Sequence, residues 1–232
     1  MELLRKQREF LCLEALIQNV GKAAKYKMPQ NHKGLNHYFA AQPKSKLKLG
    51  KIHACLRGVS FEFLTASGVF SKKRVDLGTK LLIESMILPE KGSVLDVECG
   101  YGAVGVAAAT FNPNLRVVMV DVNERAVWLA KQNIEINRIS NAEVRRGNLY
   151  EPVGNLTFDC ILSNPPVSAG MSTVRAMIAE TPAHMTSKAL FQMVVKSKIG
   201  GKRLQSFFEE AFGNFTILAR ESGYRVLMAE KQ

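Results

Sequence analysis

From residue 78 onward the chain alternates apolar strand segments with helical ones, and this rhythm limits the folds open to it. VLDVEC (94–99), RVVMVDV (116–122), AEVRRG (142–147), FDCILS (158–163) and ALFQMVV (189–195) read as strands. Several are apolar at nearly every position, which suits a parallel sheet covered on both faces. Helix candidates lie at 79–88, 103–111, 124–137, 172–186 and 201–212. Helices alternating with such strands predict a layered α/β domain. The end breaks the rhythm. FTILAR (215–220) and YRVLMA (224–229) are separated only by ESG, too little chain for a parallel crossover. The expected fold is α/β: a doubly wound seven-stranded sheet, mostly parallel, closed by a C-terminal antiparallel hairpin.

The first residues follow a different pattern. Leu3, Phe10, Leu13 and Ile17 fall near one helix face within 3–20, with Arg5, Lys6 and Arg8 elsewhere. Residues 21–34, GKAAKYKMPQNHKG, are basic and turn-rich. KIHACL (51–56) and VSFEFL (59–64) alternate and are split by Arg57-Gly58, a two-residue hairpin signal. The chain therefore divides into a basic helical extension at 1–50 and a main domain at 51–232, with a β-hairpin lead-in at 51–66.

Charge follows the same division. Residues 1–75 hold 15 Lys+Arg and 4 Asp+Glu, a net of +11, whereas 76–232 hold 17 and 16, a net of +1. A basic first third points to a polyanion such as a nucleic acid, against the plain alternative of a solvated surface. No apolar run of about 18 residues exists, so no membrane span is expected. The opening MELLRKQREF lacks the apolar core of a secretion signal. Cys12, Cys55, Cys99 and Cys160 form no C-x-x-C pair and are read as reduced, in a cytoplasmic protein. His32 and His37 lie in a polar loop, and no metal site is expected.

The first strand of the main domain runs into DVECGYGAVG (96–105) and then a helix. Glycines after a strand let a ligand approach the backbone, and the helix start offers free N–H groups. Asp121 ends the next apolar strand, 21 residues beyond Gly100. An acidic residue at about that distance holds ribose hydroxyls in βαβ nucleotide sites. The alternative is that Asp121 caps helix 124–137. No G-x-x-x-x-G-K-[ST] occurs, which removes a P-loop ATPase. Gly100, Gly102 and Gly105 fit G-x-G-x-x-G literally, so a dinucleotide oxidoreductase has to be weighed.

SNPPVSAG (163–170) separates the two. In open α/β sheets ligands sit outside the carboxyl ends of the strands, where Asn164 falls. Pro165 and Pro166 carry no N–H, so the free backbone groups there are carbonyl acceptors, and Asn164 adds a side-chain oxygen. A cluster of acceptors beside a nucleotide-like site suits a substrate –NH2 group and supplies no acid or base for hydride transfer. The plain alternative is a rigid loop with an Asx-turn.

LDVECGYG, VDVN and SNPP, in this order and with this hairpin ending, resemble class I S-adenosylmethionine-dependent methyltransferases, whose sheet is Rossmann-like. GVFSKKRVDLGTKLL (68–82), NPPVSAG and FGNF…ESGYRVL narrow the resemblance to the ribosomal RNA guanine-N2 methyltransferase (RsmC-like) group, especially its short archaeal-type members. The resemblance covers residues 36–232 approximately. It implies S-adenosylmethionine as cofactor, with Asp96, Gly100 and Gly102 around its methionine part and Phe70, Asp76 and Thr79 closing that side. It further implies Asp121 at the ribose, Val122 against the adenine, and Asn148 and Leu149 at the adenine edge and face. Asn164, Pro165 and Pro166 would form the catalytic motif, with Asn164 also beside the cofactor.

Three positions depart from the family pattern: Glu98 replaces a usual glycine, Asn148 a common aspartate, and Val167 a base-stacking aromatic. Stacking is worth about 1–3 kcal/mol per base, so Phe70, Tyr38 or Phe39 would have to supply it. The expected activity is methyl transfer to an exocyclic amine of an RNA base, foremost guanine N2 in ribosomal RNA, with RNA held by the basic first third. A protein-glutamine or other N-methyltransferase, and a non-catalytic RNA-binding protein on the same fold, are the alternatives. The oligomeric state is left open.

Overall fold

Asp121, Asp96 and Val97 stand at one edge of a seven-stranded sheet in the computed structural model, which describes residues 45–165, 170–199 and 201–232. The expectations for 1–44, including the helix at 3–20, Cys12, the loop histidines, Tyr38 and Phe39, lie outside the described residues, as do those for Pro166 and Val167.

Strands β1 (Leu49–Leu56) and β2 (Val59–Ala66) form the expected hairpin as a separate antiparallel pair. Its turn residues Arg57 and Gly58 have φ of 46° and 75°. Positive values at both central positions match the strand twist, which is why a two-residue loop suffices. Helix α1 (Leu77–Ser85) follows, then β3 (Gly92–Val97), α2 (Ala103–Phe111), β4 (Leu115–Asp121), α3 (Glu124–Ile136) and β5 (Ala142–Arg146). After β6 (Phe158–Ser163) come α4 (Met171–Glu180), β7 (Met185–Lys196), α5 (Gly201–Phe212), β8 (Thr216–Glu221) and β9 (Tyr224–Glu230).

The sheet order is β5-β4-β3-β6-β7-β9-β8. β5, β4, β3, β6 and β7 are parallel, while β9 runs antiparallel to β7 and to β8. The fold expected from the alternation is therefore the one observed, closing hairpin included.

Period-two alternation distributes each strand between two cores. Val94, Val117 and Met119 join α1, α2, α3 and the β1–β2 hairpin on one face. Leu95, Val97, Val118 and Val120 join α4 and α5 on the other. Asp96 and Asp121 share the parity of the first set, so both project from the face that α2 covers. Asn133 of α3 ties the layers together. Its Oδ1 accepts from Leu64 N, and its Nδ2 donates to Leu64 O and to Tyr101 O.

Four boundaries moved, for local and tertiary reasons. The helix expected at 79–88 starts at Leu77, because Asp76 caps it by accepting from Gly78 N and Thr79 N. It stops at Ser85, where Arg57 from the hairpin donates to Glu84 O and Met86 O, and Gln192 of β7 pairs with both backbone groups of Ile87. The helix expected at 172–186 ends at Glu180. Pro182 then sits in a 3-10 turn, Thr181–His184, and β7 begins at Met185 rather than 189.

Candidate functional site

Strands β3 and β6 are neighbours, and from them the sheet is built outward in opposite directions. Their carboxyl ends mark the crevice where open α/β sheets bind ligands. A cavity of ≈ 440 Å³ opens at that edge. Of the residues singled out by sequence, Phe70, Asp76, Thr79, Asp96, Gly100, Asp121, Asn164 and Pro165 line it. Gly102, Val122, Asn148 and Leu149 do not.

Each of these four has its own surroundings. Gly102 begins α2 at φ 88°, and a Cβ there would stand 3.1 Å from Ala130 Cβ and 3.2 Å from Met119 Sδ, so it serves packing of α2 on α3 and β4. Val122 is half-buried just past β4. Asn148 is exposed, its N–H donating to Glu151 Oε2. Leu149 is buried in the second core. Gly105, the third glycine of the dinucleotide-like pattern, is a helix–sheet contact: a Cβ would fall 2.4 Å from Met119 Cγ.

Three carboxyls converge on the cavity. Asp96 is 1% exposed and accepts from Gly105 N at 2.9 Å. Burial raises it to about 8; the Gly105 N–H opposes the rise and Asp121 adds to it. Asp121 accepts from Gly100 N through Oδ2 and from Asn123 N through Oδ1, both at 2.8 Å. Burial raises it to about 6, with those two N–H groups holding it down. The α3 cap is Asn123 and not Asp121, so capping does not account for this acid. Glu98, at φ 62°, is raised first by burial and then by repulsion from Asp121. Among the described residues no His, Cys, Asp and Glu group is arranged to hold a metal ion.

At the other wall Asn164 Nδ2 donates to Thr79 Oγ1 at 2.8 Å. That bond orients the amide, and among the described residues Oδ1 has no hydrogen-bond donor. Tyr224 Oη donates to Asp76 Oδ1 at 3.3 Å, which links the start of β9 to the cap of α1. Sequence reading missed Tyr101, Lys196 and Tyr224, all of which line the cavity. Tyr224 begins an antiparallel strand, so its amino end meets the edge where the parallel strands have their carboxyl ends. Lys196 closes β7 at that edge; a charge ending an apolar strand was its only sequence signal.

A family model described as methyltransferase small domain matches residues 60–228. The chain belongs to this family. It is 36% identical over 197 residues to the uncharacterized protein YbxB of Bacillus subtilis, covering 84% of this chain and 98% of that protein. It is 31% identical over 171 residues to ribosomal RNA small subunit methyltransferase C of Aeromonas hydrophila, covering 72% of this chain and 48% of that protein. The T. thermophilus 16S rRNA N2 G1207 methyltransferase (RsmC), solved with AdoMet and guanosine, is similar with a TM-score of 0.72 at 27% identity. That likeness covers 82% of this chain and 52% of the other. The chain thus spans about half the length of these methyltransferase C relatives.

It is an S-adenosylmethionine-dependent methyltransferase of the RsmC-like small-domain family. The cavity of this methyltransferase fits that cofactor chemically. Buried carboxyls held partly neutral by desolvation suit a ligand that brings positive charge and hydroxyl donors, and S-adenosylmethionine carries a sulfonium, an ammonium and a ribose. A Cβ on Gly100 would meet nothing within 4 Å, which leaves the backbone there open to a ligand.

Proposed function

We propose that this methyltransferase acts on an exocyclic amine of an RNA base, foremost guanine N2 in ribosomal RNA. The observation that carries the reading is the Asn164–Thr79 hydrogen bond, which commits the Asn164 amide nitrogen and leaves its oxygen to accept from a substrate amine. The guanosine in the T. thermophilus enzyme supports guanine over other bases. The relatives named above are bacterial, and the archaeal-type branch has no separate support in them.

S-adenosylmethionine, when bound, supplies an electrophilic methyl carbon. In this reading Asp96 and Gly100 border its methionine part, with Phe70, Asp76 and Thr79 opposite, and Asp121 keeps acceptor capacity for the ribose. Val122, Asn148 and Leu149 follow the carboxyl ends of β4 and β5, the same sheet edge as the cavity, which favours an adenine end on that side. Gly102 acts indirectly, by letting α2 start close to the sheet.

Asn164 Oδ1 and the Pro165 carbonyl accept the two amine hydrogens. Gripped this way, the nitrogen is drawn toward a tetrahedral shape and its lone pair is freed from the ring. No side-chain base is needed before attack, since the proton leaves afterwards, and positioning supplies most of the acceleration. The base must be unstacked to reach the cavity. Phe70, 41% exposed on the cavity wall, offers the stacking face that Val167 does not. Residues 51–232 are the catalytic domain in this reading, the basic first third contributes RNA contacts, and the protein works in the cytoplasm.

The test is transfer from labelled S-adenosylmethionine to total RNA, with the modified nucleoside mapped. Asn164→Ala should nearly abolish turnover and leave cofactor affinity within a few-fold. Equal loss of both would remove Asn164 from the amine site.

A further inference from the structure

Charge counting over the sequence assigned almost all of the excess positive charge to residues 1–75. The fold changes this by bringing two cationic segments to the cavity mouth. Lys72, Lys73 and Arg74 lie in the loop between Phe70 and Asp76, both of which line the cavity. Residues 196–203, KSKIGGKR, carry four cations and no acid. Their positive charge is hidden in the count, because acids elsewhere in 76–232 cancel it.

Tyr224 joins the segments. It lies directly opposite Lys196 in the β7–β9 register, and both line the cavity. Its hydroxyl donates to Asp76 Oδ1 at 3.3 Å, which ties it to the residue that ends the Lys72–Arg74 loop. Residues 197–199 are also held in place. Ser197 N donates to Gly223 O, Ile199 N to Lys196 O, and Arg225 Nη2 to Ile199 O at 3.3 Å.

Lys198, Lys202 and Arg203 are exposed, and no ion pair holds any of them among the described residues. Two of them violate a local rule. Lys202 and Arg203 occupy the first turn of α5, where the helix dipole disfavours cations and favours acids. Charges kept where the helix gains nothing from them point to a partner outside the fold.

We infer that Lys198, Lys202 and Arg203 bind the phosphate backbone of the RNA substrate beside the cavity, together with Lys72, Lys73 and Arg74. The two segments form a cationic cradle that holds the strand beside the flipped base. This rests on the RNA reading above and deepens it.

The experiment compares the intact protein with the triple variant Lys198→Gln/Lys202→Gln/Arg203→Gln, binding a single-stranded oligoribonucleotide over a salt series. Each phosphate contact to a single strand contributes about 0.7 to the slope of log affinity against log salt, so three lost contacts should flatten it by about 2. The Michaelis constant for RNA should rise at least tenfold, with the turnover number at saturating RNA and the affinity for S-adenosylmethionine within about twofold. Removing cations from the α5 first turn should not lower the melting temperature. An unchanged slope and Michaelis constant, in a protein that still methylates RNA, overturn the cradle and leave the RNA reading standing. If the unmodified protein methylates protein but no RNA, the RNA reading falls and takes the cradle with it.

Discussion

Glu98→Gly should make this enzyme more stable, and the gain should depend on pH in a defined direction. Glu98 sits at φ 62°, where an L-residue crowds its own carbonyl, at a cost of about 1–2 kcal/mol. Glycine removes that cost but gives back about 0.5–1 kcal/mol through the freedom of the unfolded chain. The larger part is the carboxyl. Burial, then repulsion from Asp121, raise it from 4.5 to about 8. Between these values the unfolded chain releases a proton that the folded chain retains, so stability falls as pH rises from about 4.5 to about 8. At pH 7 the gap amounts to about 3 kcal/mol at 1.36 kcal/mol per unit. Allowing for partial relaxation of the site, the variant should gain about 2–3 kcal/mol at pH 7, or roughly 5–10 °C for a domain of this size. At pH 4.5 the carboxyl part nearly disappears, and only a gain below about 1 kcal/mol should remain. The assay is thermal unfolding at both pH values. An equal gain at both would refute the titration argument, and a lower melting temperature at pH 7 would refute the whole account.

The same acids make cofactor affinity pH-dependent. A cationic ligand favours their ionised forms, so S-adenosylmethionine should bind more tightly as pH rises from about 6 toward about 8, the raised values of Asp121 and Asp96. Calorimetry in buffers of different ionisation heat should record proton release on binding; proton uptake would contradict it. Thr79→Val removes the group that orients Asn164 and should lower the turnover number about tenfold, the worth of one hydrogen bond, with little change in the Michaelis constant for RNA. Thr79→Ser should restore it, and a Ser variant as slow as Val would count against an orienting role. Gly105→Ala would stabilise an open helix by about 1 kcal/mol. Here the Cβ would lie 2.4 Å from Met119 Cγ, so a loss of about 1–3 kcal/mol is expected in denaturant unfolding. A neutral result would mean that α2 can shift off the sheet.

Strands were legible because burial on both faces writes itself into nearly every position of VLDV, VVMV and CILS. Boundaries were less so. The early end of α1 depends on Arg57 and Gln192, which reach it from 27 and 105 residues away in the chain. Parts of the site that lie within one strand and the turn after it, Asp96 with Gly100 and Asn164 with Pro165, could be read locally. The burial of Leu149 could not, because the second core that takes it in is built from distant strands and helices.

By itself the sequence determined the layered α/β architecture, the antiparallel ending and the acceptors at SNPP, because periodicity and missing N–H groups are properties of adjacent residues. Only the tertiary structure decided which groups share the cavity. Thr79 turns the Asn164 amide across 85 residues, and Tyr224 reaches the cap of α1 across 148. Acids that look ordinary in sequence become proton-retaining because three of them are desolvated on one side of one sheet. Lys198, Lys202 and Arg203 cancel in a count yet have no ion pair among the described residues, because the field at a site depends on distance in space and not on position along the chain.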